Sequence, residues 1–159
     1  MIDTSEFRRV IGHFPSGVSV VTTRTPGGAP CGLTASAVCS LSLSPTLLLV
    51  CVEQDADTHD CIAQAGYFAV NVLAEGKGET LARRFAAGEP GDKFTGVAFR
   101  EERSGAPVLD EALAWMDCRV AGQARGGDHT VFMGEVMAAD AVEGTPLVYY
   151  RGGYGRFVP

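Results

Sequence analysis

The feature that most constrains this chain is a succession of short apolar runs, rich in β-branched residues and cut apart by glycine and proline. Residues 17–23, 47–52 and 67–73 are the clearest, and each has the length of a strand. Residues 31–43 read as one long strand or a strand pair with many small side chains, and Pro45 breaks the run. Residues 112–121, 129–142 and 147–151 add further strands, Thr25-Pro26-Gly27-Gly28 is a turn, and residues 152–155 form a glycine-rich tail. Six or more strands with few helices predict a barrel or a sandwich. The strands do not alternate regularly with helices, so a doubly wound parallel sheet is the weaker choice.

Three helices interrupt the pattern. Asp3 with Glu6 three residues on resembles a capping box, and Phe7, Val10, Ile11 and Phe14 follow at helical spacing until Pro15. Asp57 and Thr58 are placed to cap a helix running to Ala65, with Gly66 just beyond its end. Residues 78–87 carry Leu81 and Phe85 four apart, with Ala82 and Ala86 beside them, and residues 88–92 are a loop.

The 159 residues suit a single domain, 1–159, with 46% hydrophobic and 20% charged residues. The net charge is −6 and no Lys/Arg cluster is evident, which argues against nucleic acid. Five cysteines, at 31, 39, 51, 61 and 118, form no C-x-x-C pair and read as reduced thiols of a cytoplasmic protein. The N-terminal residues lack the pattern of a signal peptide, and the longest apolar run, 47–52, is too short to cross a membrane.

Several chemistries have no motif here. No G-x-G-x-x-G opens a helix after a strand, and there is no phosphate-binding G-x-x-x-x-G-K-[ST] and no G-x-S-x-G. His13, His59 and His129 show no metal-ligand spacing. What stands out is residues 32–45, which carry one Thr and four Ser among small apolar residues. Composition leaves two readings open: a hydroxyl-rich structural strand, which is the commoner case, or a wall against which a flat ring meets backbone N–H groups. Lys93 is equally open between a solvated loop lysine and a phosphate contact. A lone histidine beginning a strand, as His129 does, is more often structural.

Seven stretches in order resemble the short flavin reductases, the small partners of two-component flavin monooxygenases. They are residues 14–23, Gly32-Leu33-Thr34-Ala35-Ser36-Ala37, residues 40–52, Tyr67-Phe68-Ala69-Val70-Asn71-Val72-Leu73, Asp92-Lys93-Phe94, residues 127–136 with Gly127-Asp128-His129-Thr130, and Pro146-Leu147-Val148-Tyr149-Tyr150-Arg151-Gly152. Each is weak alone, but together they cover nearly the whole chain.

The resemblance implies a mainly β Greek-key split β-barrel with a few short helices, homodimeric, with flavin near the dimer interface. It implies an NAD(P)H:flavin oxidoreductase that reduces FAD or FMN and supplies the reduced flavin to a separate monooxygenase. FAD and NADH are the favoured pair. It also implies roles for particular residues. Thr34, Ala35, Ser36 and Ala37 would line the flavin ring, with Cys51 among the flavin contacts. Ser40, Asp57 and Thr58 fall where the family handles the ribityl or phosphate end. Lys93 would add a cation and Phe94 an apolar contact. His129 would position the nicotinamide, and Tyr150, Arg151 and Gly152 lie where the family meets the pyridine nucleotide. Tyr149 and Tyr150 point to opposite faces of a strand, so only one faces the ligand.

Two departures narrow this. Ser36 and Ala37 stand where the family has Asn and Ser, which shifts recognition of the ring toward the backbone. Asp57 stands where the family often has Ser, and its charge would repel a phosphate unless it turns away or His59 offsets it. A non-catalytic flavin- or haem-binding carrier or sensor on the same barrel is the alternative function.

Overall fold

The computed structural model describes residues 1–158. Helix α1 (Thr4–Ile11) is followed by β1 (Ser16–Gly17), β2 (Ser19–Arg24), β3 (Pro30–Ala35), β4 (Val38–Leu43) and β5 (Thr46–Glu53). Then come α2 (Asp57–Ala65), β6 (Tyr67–Leu73), α3 (Lys77–Ala87), β7 (Phe99–Glu101) and β8 (Pro107–Leu109). Two long strands, β9 (Ala112–Gly126) and β10 (His129–Ala141), precede a closing hairpin, β11 (Leu147–Tyr150) and β12 (Gly153–Arg156). The mainly β class and the three helices are as the sequence predicts.

Seven strands form one antiparallel sheet in the order β3-β2-β6-β9-β10-β5-β4. Its two edges, β3 and β4, are consecutive in the chain and joined by Ser36 and Ala37 alone. A flat seven-stranded sheet would be about 29 Å across at the usual strand spacing. Ala35 and Val38 are three Cα steps apart, at most about 11 Å. The sheet must therefore curl until its edges meet, and β3 does lie beside β5. The result is a barrel left split at this seam. The strand pair expected within residues 31–43 is thus two strands at opposite edges, each paired elsewhere: β3 with β2, β4 with β5.

The barrel interior is filled by Val21, Val50, Phe68, Val70 and Phe132, with Ile62 of α2 fully buried against them. Gly134 permits the closest approach, at a bulge in the β9–β10 ladder. A Cβ there would sit 2.6 Å from the Phe68 ring and 2.9 Å from Cys118 Cβ. A second cluster packs Phe85 of α3 with Val18, Val20, Leu73, Leu109 and Leu147. It carries the β11–β12 hairpin, because Tyr149 and Tyr154, edge to face with each other, both pack against it.

A buried polar knot ties the short β8 onto the barrel. The Asn71 amide donates to Val20 O (3.0 Å) and Thr22 Oγ1 (3.1 Å), and its carbonyl accepts from Leu109 N (2.8 Å). Thr22 in turn donates to Pro107 O at 2.5 Å. Strands β7 and β8 lacked a readable pattern because each has three residues and β8 depends on this knot.

Other expectations need correction. Asp3 does cap α1, accepting from Glu6 N at 2.9 Å, but the Glu6 carboxylate turns to Arg9 rather than closing a capping box. Asp57 and Thr58 do not cap α2; Ala56 is the cap residue and no side chain bonds there, so the two sit in the first turn. The glycine-rich tail is not a tail, since β12 pairs with β11 from Leu147↔Arg156 to Tyr150↔Gly153. Arg151 leaves the strand for the turn, at φ 49°. The periodic face of α1 buries nothing: Phe7, Val10, Ile11 and Phe14 are 51–74% exposed.

Asn71→Ala would leave Leu109 N unsatisfied in the interior and unfasten β8. Loss of about 3 kcal/mol is expected, at about 1–3 kcal/mol per orphaned buried group. Urea unfolding checks this: a midpoint unmoved from that of the unaltered chain would show that the knot is not structural.

Candidate active site

The seam of the barrel opens into a cleft of about 420 Å3. One wall is the end of β3 and the link beyond it, Leu33 to Ala37. Facing it are Cys51, Val52 and Glu53 of β5, with Ala56 just before α2. Phe85 and Ala86 of α3 close a third side, and Lys93 and His129 stand at the rim. The structure therefore brings Thr34, Ala35, Ser36, Ala37, Cys51, Lys93 and His129 together from four separate parts of the chain.

Each wall has a local cause. Gly32 lets α3 lie against β3, for a Cβ there would come within 3.0 Å of Val21 O and 3.1 Å of the Phe85 ring. Thr34 Oγ1 donates to Ala82 O at 2.6 Å, which binds α3 to the same strand and leaves only lone pairs of that hydroxyl free. Lys93 Nζ donates to Gly32 O at 3.2 Å, holding the cation beside the wall. Burial pushes the Cys51 thiol above its ordinary range, with Cys39 adding to the shift, so at neutral pH Cys51 is a neutral wall and not a nucleophile.

His129 is the first residue of β10, beyond a tight turn. Gln54 clamps that turn: its backbone N donates to Asp128 O at 2.9 Å and its side chain to His129 O at 3.1 Å. The His129 Nδ1 lies 2.7 Å from the Asp128 carboxylate. A carboxylate only accepts, so the ring proton sits on Nδ1 and Nε2 is left as an acceptor when the imidazole is neutral. The same bond holds the Asp128 carboxyl below the usual range, helped by a backbone bond and the imidazole's charge. His59 does not face Asp57; its two nitrogens engage Asp60 (2.9 Å) and Thr130 Oγ1 (2.8 Å), bracing β10 from α2.

Other predicted residues lie elsewhere. Ser40 is exposed on β4. Asp57 and Thr58 line a separate recess of about 200 Å3 with Cys31 and Cys61, and Lys93 borders both cavities. Thr58 is buried and accepts from the Cys31 thiol at 3.4 Å. Phe94 is half-buried against the core, edge to face with Phe85 at 4.9 Å and Phe99 at 5.6 Å, so it supports the cleft wall from behind. Tyr150 is exposed beside His13, and Arg151 and Gly152 border a groove against α1. It is Tyr149 that faces inward, into a recess shared with Thr34, Ser36 and Ala86. Glu53, Ala56, Phe85 and Ala86 carried no signal beyond that of a strand end or an apolar helix face. Among the described residues no three His, Cys, Asp or Glu side chains converge as metal ligands.

The arrangement suits a flat ring pressed on bare backbone, with one cation and one oriented imidazole beside it. It offers neither an activated nucleophile nor a matched acid–base pair of carboxylates.

Comparison with known proteins agrees. Residues 11–157 match the model of the flavin reductase like domain. The chain is 47% identical to the reductase component of a 4-nitrophenol 4-monooxygenase/4-nitrocatechol 2-monooxygenase from Rhodococcus opacus, over 99% of this chain and 83% of the relative. It is 42% identical to an NADH-dependent FAD reductase of Streptomyces globisporus, over 99% and 87%. Among solved structures, a homologue of nitrilotriacetate monooxygenase component B from Mycobacterium thermoresistibile superposes with a TM-score of 0.93 at 38% identity, covering 99% of this chain and 88% of that one. The NADH:FAD oxidoreductase of Streptomyces globisporus C-1027, solved with NAD and FAD fragments, gives 0.90 at 40% identity, covering 99% and 94%.

Asp128→Asn would still face His129 but could also donate to it, so the ring would no longer be held in one tautomer. The depressed carboxyl supports the contact above its unfolded pKa, and that support is lost as pH falls through the lowered native value. Imidazole 15N shifts should show one neutral tautomer in the parent chain and a mixture in Asp128→Asn. Identical spectra would show that Asp128 does not orient the ring.

Proposed function

Because this chain belongs to the flavin reductase family, we propose that it is an NAD(P)H:flavin oxidoreductase that supplies reduced flavin to a partner monooxygenase. NADH is the preferred reductant, and FAD or FMN is the flavin. The single observation that carries this for the chain's own residues is the cleft at the barrel seam, where small side chains, one cation and one oriented imidazole converge.

The residues fit a flavin. Ala35 and Ala37 leave backbone open to a ring face, Ser36 adds a hydroxyl, and Val52 and Ala56 supply apolar contact opposite. Cys51 stays a protonated thiol there, without charge to oppose an electron-rich ring. Lys93, fixed by Gly32 O, offers its charge to a phosphate at the cleft's end, and the Asp57–Thr58 recess beside it takes the more polar tail. Flavin, when bound, accepts the hydride that reduced nicotinamide delivers. The chain's task is to align the two rings and exclude water. His129, with Nε2 free, positions the nicotinamide at the rim, and Phe85 backs the wall so that the slot keeps its width. No protein base is required for hydride transfer, so His129 is a positioning residue.

We read residues 1–159 as one domain and the working unit as a homodimer. The exposed apolar face of α1 supports the dimer, since Phe7, Val10 and Ile11, continued by Phe14 beyond the helix, form a stripe left uncovered among the described residues. All five cysteines are free, which fits a reducing cytoplasm, and no helix among the described residues is long and apolar enough to cross a membrane.

Three measurements test this reading. Absorbance at 340 nm should fall when NADH and flavin are both present; no flavin-dependent loss with NADH or NADPH contradicts the activity. His129→Ala should raise the KM for NADH about tenfold, the loss of about one good polar contact, and leave flavin affinity nearly intact. An equal loss of flavin affinity would contradict the role of His129. Light scattering should give about twice the 16.7 kDa chain mass, and a monomer would contradict the dimer.

A further inference from the structure

Strand β5 ends on a charge. Residues 47–52 are apolar throughout, and Glu53 follows them as the last residue of the strand. Leu48, Val50 and Val52 turn into the core, so Cys51 and Glu53 project from the other face, which is the face of the cleft. Glu53 stands directly across from His129 in the β5–β10 ladder. Directly opposed residues of an antiparallel pair share a face, with Cβ atoms about 4.5–5.5 Å apart. The backbone is pinned on both sides of this position. Glu53 O accepts from Ala56 N at 3.1 Å, and Gln54 N donates to Asp128 O at 2.9 Å.

The Glu53 carboxylate has no hydrogen-bond or ion-pair partner among the described residues, although a lysine and a histidine line the same cleft. Those two are committed elsewhere, Lys93 to Gly32 O on the far wall and the His129 imidazole to Asp128. Cys51 stays a neutral thiol. Asp128 lies behind the imidazole, 84% exposed and open to screening, and does not line the cleft. Among the described residues, Glu53 is the one carboxylate in the cleft lining. Rings stacked there exclude the water that screens it.

We propose that Glu53 is a catalytic residue of the reductase: its carboxylate faces the nicotinamide and stabilises the positive charge that this ring acquires as it gives up hydride. The proposal rests on the flavin reductase reading. In the step, the C–H bond of the reduced nicotinamide breaks, and its hydrogen with both electrons forms an N–H bond on the flavin. The nicotinamide changes from neutral to cationic, and the flavin gains one negative charge. A fixed anion beside the donor ring and away from the acceptor ring favours this separation of charge. Glu53 meets both conditions, since it shares the β5–β10 wall with His129 and faces the Thr34–Ala37 wall across the cleft. It neither takes nor gives a proton.

The test uses the full-length protein with Glu53→Gln, which keeps the shape and removes the charge, and Glu53→Asp, which keeps the charge. Calorimetry on the flavin-free protein compares NAD+ with NADH, which differ in the charge of the nicotinamide. The preference for NAD+ over NADH should fall about threefold or more in Glu53→Gln and less in Glu53→Asp. Anaerobic stopped-flow, with bleaching of the flavin as the signal, should show hydride transfer slowed about tenfold in Glu53→Gln at saturating NADH. Glu53→Asp should retain most of the rate, and neither variant should change flavin affinity or Tm. Unchanged hydride transfer in Glu53→Gln overturns the proposal. Equal loss of NAD+ and NADH affinity also overturns it, since the carboxylate would then be a plain hydrogen-bond acceptor. So does tighter binding of reduced flavin by Glu53→Gln at an unaltered rate, because the charge would then face the flavin. The NAD+ preference is read without flavin, so failure of the reductase reading appears separately, as no flavin bleaching by NADH in the unaltered protein.

Discussion

Two residues, Ser36 and Ala37, join the opposite edges of a seven-stranded sheet, and this short span bends the rest of the molecule around it. Their reach is about a third of the width of the flat sheet, so the sheet has to roll. Rolling brings β3 beside β5 without pairing their edges, and the unpaired seam is the cleft. Ala35, Ser36 and Ala37 carry only small side chains across that span, so this wall of the cleft is largely backbone.

Around that seam the structure fixes a few polar groups by separate means. Lys93 is tethered by Gly32 O, His129 by Asp128 and by the Gln54 clamp, and Thr34 by Ala82 O. These groups are held from behind, so their orientation precedes any ligand, and little ordering entropy remains to be lost on binding. Burial keeps three of the thiols, Cys51, Cys61 and Cys118, unreactive. Burial drives Cys61 and Cys118 to about 12, so both stay protonated at neutral pH. A reductase whose hydride moves between two bound rings needs this quiet, ordered slot more than it needs an acid or a base.

Much of the fold was legible because its strands carry local signals. Residues 67–73 read as a strand from Val70, Val72 and their apolar neighbours, and the structure places β6 on those same residues. The pairing of β3 and β4 with distant partners was not legible, because a run of small residues from 31 to 43 looks the same whether its halves pair or part. Strands β8 and β12 depend on Asn71 and on the Leu147 hairpin, contacts made across the fold. The site divides the same way. Thr34 to Ala37, Lys93 and His129 came through resemblance and do converge, whereas composition left each of them ambiguous. Phe85 and Ala86 were hidden within an ordinary amphipathic helix, while Thr58 is buried at the edge of a separate recess and Phe94 is half-buried against the Phe85 cluster. Tyr149 and Tyr150 could be split between faces but not assigned, since which face is inner depends on where the hairpin docks.

The claim on which the rest turns is that the backbone at the barrel seam holds the flavin ring. Hydrogen–deuterium exchange of the apo protein, with and without saturating FAD, reads this directly. The account predicts that slowed exchange on adding FAD centres on the amides of residues 34–37. Protection confined to residues 147–153, with residues 34–37 exchanging at an unchanged rate, would contradict it.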